Sequence, residues 1–363
     1  MHQLLNNLSP ALVAFATSLL IALLLVITQK WHGIFSLDVQ HGIQKFHVHP
    51  TPRVGGIAIT CGALAAYFAA KAEHQSMLGS LMIAGIPAFL FGLLEDITKR
   101  VSVLVRLIAT MTSGFIAWLL VGISLTDIGI PLVNNLFHIT LFSVLFTAFA
   151  IGGVANALNI IDGFNGLASG YSILAMACLA AIAHSVGDTS LAMLCSVLAC
   201  AIAGFFFLNW PWGKLFLGDG GAYFMGFALA WACVLMVERN DSVSPFSMLL
   251  VCSYPVTEVL FSIYRRKMRH MAPGQPDRLH LHSLLMGRHI NKHLGSRWAN
   301  PATGILVVAL TTPSLVLAYL LQAHTLASIG GFVLVVLCYL TLYARIVKFR
   351  WAAPFCFFQP KPR

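Results

Sequence analysis

The sequence predicts an all-α integral membrane protein, a polytopic bundle of about eleven transmembrane helices. Three observations carry that prediction. Hydrophobic residues make up 58% of the 363 and charged ones only 9%. Apolar runs of ~20 residues, enough to cross a hydrocarbon core as a helix, follow one another with only short polar islands between them. Lysine and arginine (22) outnumber aspartate and glutamate (12), and they are unevenly spread along the chain.

The spans are expected near 8–29, 54–71, 77–94, 102–122, 136–157, 166–186, 189–208, 215–237, 245–264, 303–322 and 326–347. The loops after the first, third, fifth, seventh and ninth spans, with the C-terminal tail and the adjoining span edges, hold every Lys and Arg except Lys71 and Arg239. The positive-inside rule therefore places that side in the cytoplasm, with the N-terminus outside and the C-terminus inside. No cleavable signal peptide is expected, because residues 1–10 carry no Lys or Arg and the first apolar run has full span length. The eight cysteines are scattered, mostly within spans and without CxxC spacing, which suggests neither disulfides nor a zinc ribbon. The basic balance reads as topology, and no nucleic-acid motif is present. One membrane domain, 1–363, is expected, with loops 30–53, 95–101, 158–165, 209–215 and 265–301 building an active site on the cytoplasmic face.

Those loops carry the chemistry. The first ends in Lys45-Phe-His47-Val-His49-Pro50-Thr51-Pro52-Arg53 and leads into Gly55-Gly56 at the start of a span. Stiff prolines before a helix N-terminus with basic neighbours suit an anionic ligand. In the next, Glu95 and Asp96 are adjacent at the membrane boundary. Two carboxylates side by side repel unless a cation or shared proton lies between them, so a divalent cation is the economical explanation. Pairing with Lys99 and Arg100 is the alternative.

The fifth span delivers Asn156-Ala-Leu-Asn159-Ile-Ile-Asp162-Gly163-Phe-Asn165-Gly166. The three polar residues at every third position share an arc of ~120° on a helix. Polar groups at a membrane helix end are costly unless they bind something. Asn209 opens the next island, which closes on Gly218-Asp219-Gly220-Gly221, where the glycines are expected to let metal and phosphate reach the backbone. Glu258 is an intramembrane acid whose simplest partners are Arg265 or Arg266. The longest loop holds Pro276-Asp277-Arg278-Leu-His280-Leu-His282-Ser283, where the excess of arginine argues for anionic oxygens rather than zinc.

Glu95, Asp96, Asp162 and Asp219 thus face one compartment beside Lys, Arg, His and Asn. Oxygen ligands suggest Mg2+ or Mn2+, ions that keep waters and engage substrate phosphates. Basic side chains beside such an ion stabilise a transferring phosphoryl group. A site at the lipid boundary accommodates a soluble nucleotide conjugate and a lipid phosphate.

Five ordered motifs within roughly residues 40–290 carry a family resemblance. They are Lys45-x-His47 with Pro50-Thr-Pro-x-x-Gly-Gly56, Glu95-Asp96, Asn156-x-x-Asn159-x-x-Asp162-Gly-x-Asn165-Gly166, Phe216-Leu-Gly218-Asp219, and Pro276-Asp-Arg-x-His280-x-His282. The chain resembles the polyprenyl-phosphate N-acetylhexosamine-1-phosphate transferases (glycosyltransferase family 4 type), in the branch that starts O-antigen, common-antigen or teichoic-acid glycans.

The resemblance implies transfer of HexNAc-1-phosphate from a UDP-HexNAc to undecaprenyl phosphate, releasing UMP, with Mg2+, in a bacterial inner membrane. It implies that Asp219 binds the metal. Asp96, with Glu95, would position or deprotonate the lipid phosphate. Asp162, Asn159, Asn165 and Asn209 would hold nucleotide and diphosphate, Lys45, His47, Arg53, Arg278 and His282 would neutralise phosphate charge, and His280 would help bind the substrate. Membrane lipids are expected partners, and a homodimer is compatible with this reading.

Three positions depart from the family pattern: Glu95 where Asp is usual, Ser283 where a last histidine is usual, and Asn165 where many relatives have Asp. The alternatives are a UDP-MurNAc-pentapeptide transferase, whose last motif has three adjacent histidines, and a secondary transporter of organic anions. A transporter would set its carboxylates near the bilayer midplane on paired repeats.

Overall fold

The computed structural model describes residues 2–38, 51–270 and 279–348. The chain opens with α1 (His2–Ile27) and the short α2 (Gln29–Ser36). A two-residue ladder follows, β1 (Leu37–Asp38) antiparallel to β2 (Thr51–Pro52). Then come α3 (Gly55–Ala69), α4 (Ala72–Ala84), α5 (Ile86–Thr98), α6 (Val103–Val121), α7 (Pro131–Phe137) and α8 (Thr140–Ile161). The second half holds α9 (Leu167–Ser185), α10 (Thr189–Asn209), α11 (Gly218–Arg239), α12 (Pro245–Val251) and α13 (Ser253–Met268). It closes with α14 (Leu281–Leu285), a π-helical turn (Met286–Ile290), α15 (Asn291–Leu320, kinked at Gly295) and α16 (Thr325–Val347).

Among the described residues, eight helices are long and apolar enough to cross a membrane singly, and the bent pairs α4–α5 and α12–α13 raise the number to ten. The remaining expected span, near 54–71, is α3, which has only 15 residues. At the helical rise it covers ~22 Å, less than a full hydrocarbon core.

Contacts show two distinct ends to the bundle. At one, His74 meets Ser190 (3.1 Å), Arg239 Nε donates to Asp188 (2.7 Å) and Ser244 N donates to Gln322 O (2.7 Å). At the other lie Arg53, Asp96, Asn159, Asn209 and Asp219, gathered from different helices.

α11 is the axis of the fold, with its whole span buried. Small residues let its neighbours approach, as membrane packing demands where dispersion rather than hydrophobicity drives association. A Cβ at Gly56 of α3 would lie 2.4 Å from Gly221 N, and one at Gly92 of α5 would lie 2.6 Å from the Asp219 backbone. No other residue fits either position.

The 78° bend between α12 and α13 has a local cause. Pro255 has no N–H to offer the carbonyl four residues back, Val251. The Tyr171 hydroxyl of α9 donates to that carbonyl instead.

Candidate active site

Asp219, in the first turn of α11, is the focus and is nearly inaccessible to solvent. Arg53 Nη2 donates to its Oδ1 at 2.5 Å, Asn159 Nδ2 donates to the same oxygen at 3.1 Å, and Arg106 Nη1 donates to Oδ2. Tyr223, one turn along α11, donates its hydroxyl to Asn159 Oδ1 at 3.3 Å and lies 5.9 Å from the Arg106 guanidinium. The elements that place these groups are the loop before α3, the C-terminal end of α8 and the first turn of α6.

Asp96, from the last turn of α5, performs a different task. Its Oδ1 accepts from Asp219 N and its Oδ2 from Gly220 N, both at 2.9 Å, with Arg53 Nε at 3.4 Å. It caps α11 from a neighbouring helix, satisfying N–H groups that the first turn leaves free. Glu95 turns away and accepts from Val101 N at 2.8 Å, closing the α5–α6 loop. The two carboxylates of the adjacent pair thus face different directions, as consecutive helical positions do, and neither pairs with Lys99 or Arg100.

The glycine-flanked helix starts also differ from expectation. Gly55 N and Gly56 N donate to Phe216 O (2.9 Å) and Leu217 O (3.0 Å), so the N–H groups opening α3 tie down the 209–217 loop. Those opening α11 are taken by Asp96. The glycines serve close backbone packing at both places, not contact with an anion.

Asp162 lies just past α8, half-buried, with no hydrogen-bond partner for its carboxylate among the described residues. Burial, aided by repulsion from Asp219 and Asp96 and opposed by Arg53, pushes its carboxyl up to about 7. Asn156 points elsewhere, donating to Gly152 O (2.8 Å) and Thr110 Oγ1 (3.2 Å).

Asn209 and Asn165 act as braces. The buried Asn209 accepts from Gly166 N (2.7 Å) and Ser169 (3.3 Å) and donates to Leu215 O (3.0 Å). This uses both ends of its amide on the protein rather than on a ligand. Asn165 N donates to Asn300 Oδ1 at 2.8 Å, while its side chain reaches Pro211 O at 3.5 Å.

The histidine motif closes over the turn that follows Asp162. His282 Nε2 would lie 3.5 Å from a Cβ at Gly163, and its ring meets Phe164 edge-on at 5.4 Å. Its Nδ1 is 3.0 Å from Tyr254 OH. Burial lowers His282 to about 4, so it is a neutral hydrogen-bonding group at pH 7 and not the cation expected. His280 stacks parallel to it, with centroids 5.3 Å apart, and its Nδ1 is 2.9 Å from Glu258 Oε1. Glu258 thus pairs with His280 rather than with Arg265 or Arg266. The expected ligands Lys45, His47 and Arg278 lie outside the described residues.

Sequence reasoning missed Arg106, Tyr223, Tyr254 and Tyr339. Arg106 had a readable signal, since it is an isolated cation inside a predicted span, and such residues are functional by default. The tyrosines had none, because aromatic residues are ordinary within spans.

Whether Mg2+ fits can be judged from the donors. Among the described residues no group of three or more His, Cys, Asp or Glu is placed to hold a metal. Mg2+ asks for less, typically one or two carboxylates with waters and substrate phosphates. Three donors occupy Asp219, and a carboxylate has about four lone-pair positions, so one remains on Oδ2. The unpartnered Asp162 carboxylate adds oxygen nearby. The donor set fits a hard divalent cation.

At one end of the bundle a buried carboxylate is clamped by two guanidiniums, on a helix start capped from a second helix, an arrangement suited to binding phosphates. Comparison with known proteins narrows the class. The profile of glycosyl transferase family 4 matches residues 77–237. A Bacillus subtilis protein named "Probable undecaprenyl-phosphate N-acetylglucosaminyl 1-phosphate transferase" is 28% identical over 283 residues, 76% of each chain. Undecaprenyl-phosphate alpha-N-acetylglucosaminyl 1-phosphate transferases of Yersinia pestis and Escherichia coli are 27% and 29% identical, each over 67% of both chains. The chain is thus similar to these transferases over two thirds or more of its length, and the family 4 profile covers the stretch from α4 to α11.

Proposed function

We propose that this protein transfers HexNAc-1-phosphate from a UDP-N-acetylhexosamine to undecaprenyl phosphate, releasing UMP and opening a cell-surface glycan. The observation that carries the reading is the Asp219 cluster. Two arginines, an asparagine and a capped helix start converge on one carboxylate at one end of the bundle. The names of the relatives favour N-acetylglucosamine as the sugar.

In this reaction a phosphate oxygen of the lipid attacks the sugar-bearing phosphorus of the UDP-sugar. A new P–O–P bridge forms, the old bridge to the nucleotide's phosphorus breaks, and UMP leaves with that electron pair. No proton need move, because a phosphate monoester with a pKa near ~6 is largely dianionic at neutral pH. The protein's work is then positioning and charge.

Arg53 and Arg106, both within reach of Asp219, neutralise the diphosphate. Asn159, fixed by Tyr223, orients it, and neutral His282 donates a hydrogen bond across the Asp162–Gly163 turn. Asp96 holds the first turn of α11, and with it Asp219, in place. Bound at Asp219 with Asp162 nearby, Mg2+ would polarise the diphosphate and stabilise charge on the leaving group. The distribution of basic residues supports a cytoplasmic site in a bacterial inner membrane.

The test is a panel of UDP-HexNAc donors incubated with the purified protein and undecaprenyl phosphate, reading the lipid product by mass. A product heavier by one HexNAc phosphate supports the reading. A product heavier by the sugar alone, or no lipid product with any donor, contradicts it.

A further inference from the structure

We propose that Glu258 is a positioning residue of the transfer reaction, acting through His280 to orient the histidine pair over the Asp162–Gly163 turn, with α16 as its strut. This rests on the transferase reading above.

Glu258 is fully buried in α13. A carboxylate in a membrane span is expensive unless its lone pairs are used. Here every partner belongs to one motif or its support. His280 Nδ1 lies 2.9 Å from Oε1, Leu281 N lies 3.4 Å from Oε1 and 3.3 Å from Oε2, and Tyr339 OH donates to Oε2 at 2.9 Å. An ionised carboxylate only accepts, so His280 must carry its proton on Nδ1 and leave Nε2 as the outward end. Tautomer and ring plane are set together. The parallel stacking on His282, at an interplanar angle of 7°, passes that orientation to the ring whose Nε2 faces Gly163.

Tyr339 connects the network to α16. That helix is mostly turned outward, and its buried residues toward the site end are Tyr339, Tyr343 and Ile346. The spacings of four and three put them on one face. Tyr343 OH donates to Leu279 O at 3.1 Å, immediately before His280, and Arg288 Nη1 donates to Ile346 O at 2.8 Å, beyond His282. One helix face therefore grips the histidine motif before it, at its carboxylate and behind it. α16 lies outside the 77–237 match. Neither it nor Glu258 touches the Asp219 cluster, so their effect must pass through the histidines.

The experiment is a double-mutant cycle on the full chain, measuring UMP release, KM for UDP-GlcNAc and thermal stability. Outer partners of functional histidines typically matter by ~10–100-fold, and Glu258→Gln should lose that much, mainly in kcat. Glu258→Asp should recover part of the loss, and Tyr339→Phe should show a smaller loss with stability unchanged. In a His280→Ala background, Glu258→Gln should cost nothing further, because its route is already cut. The inference is overturned if the two losses multiply, or if Tyr339→Phe and Glu258→Gln match the unmodified chain. It is also overturned if activity falls only in step with stability. A parent chain that releases no UMP with any donor overturns the transferase reading itself, and this inference with it.

Discussion

Asp96 and Asp219 are joined through backbone, since both carboxylate oxygens of Asp96 accept N–H groups from the turn that carries Asp219, at 2.9 Å each. Asp96 so engaged is an organiser of the site and a poor general base. Asp96→Asn keeps one acceptor and turns an amide NH2 toward the other N–H, leaving a buried donor unmet at a cost of about 1–3 kcal/mol. The expected result is lower thermal stability and activity reduced by roughly two orders of magnitude or more. Raising the pH should not restore it. Recovery at high pH would make Asp96 the base instead.

The hydrogen bond that Glu95 makes is local, from Val101 N at 2.8 Å, while its charge also acts on Arg106. A glutamine carbonyl can accept the same bond, and a surface-facing cap of this kind is worth about 1 kcal/mol. Glu95→Gln should therefore keep activity within a few-fold of the parent, and Glu95→Asp likewise. Steady-state rates of UMP release check this; a dead Glu95→Gln would move Glu95 into the reaction.

Arg106 lies outside the five sequence motifs. It bonds Asp219 Oδ2 from within α6. Arg106→Gln should raise KM for the UDP-sugar and lower kcat/KM by about 100–1,000-fold, the range for removing one donor aimed at developing charge. Lys keeps the charge but not the fork geometry, so Arg106→Lys should recover only part. An unaffected Arg106→Gln would leave Arg53 as the sole cation the site needs.

Asp162 offers a pH test in the absence of metal. Its carboxyl is pushed up to about 7 from an ordinary 3.8, so the folded protein holds a proton that the unfolded chain releases between those values. That proton-bound stability is full below the unfolded pKa and is lost as pH rises through about 7. Thermal stability of the parent chain in EDTA should decline from pH 5 to 8 relative to Asp162→Asn. Parallel profiles would mean that Asp162 is not held in a dry, acid-crowded place.

Much of this was legible because membranes leave little choice. Apolar run length dictates helices, and Lys/Arg asymmetry assigns the loops that carry Asp162 and Asp219 to one end. What stayed hidden was direction. Glu95 and Asp96 look alike in sequence, yet neighbouring helical positions send one to a loop amide and the other to α11. Asn209 and Gly56 carry polar and glycine signals that read equally as ligand contacts or as packing, and only the partner helix decides. Glu258 was assigned to the nearest cations in sequence, Arg265 and Arg266. The fold instead brings His280 from beyond the loop, 22 positions away.

The central claim is phosphoglycosyl transfer, and the nucleotide released tests it most directly. Purified protein with UDP-GlcNAc, undecaprenyl phosphate and Mg2+ should release UMP, and omission of the lipid or addition of EDTA should stop it. Release of UDP would mean that the sugar–phosphate bond breaks instead, which contradicts the account.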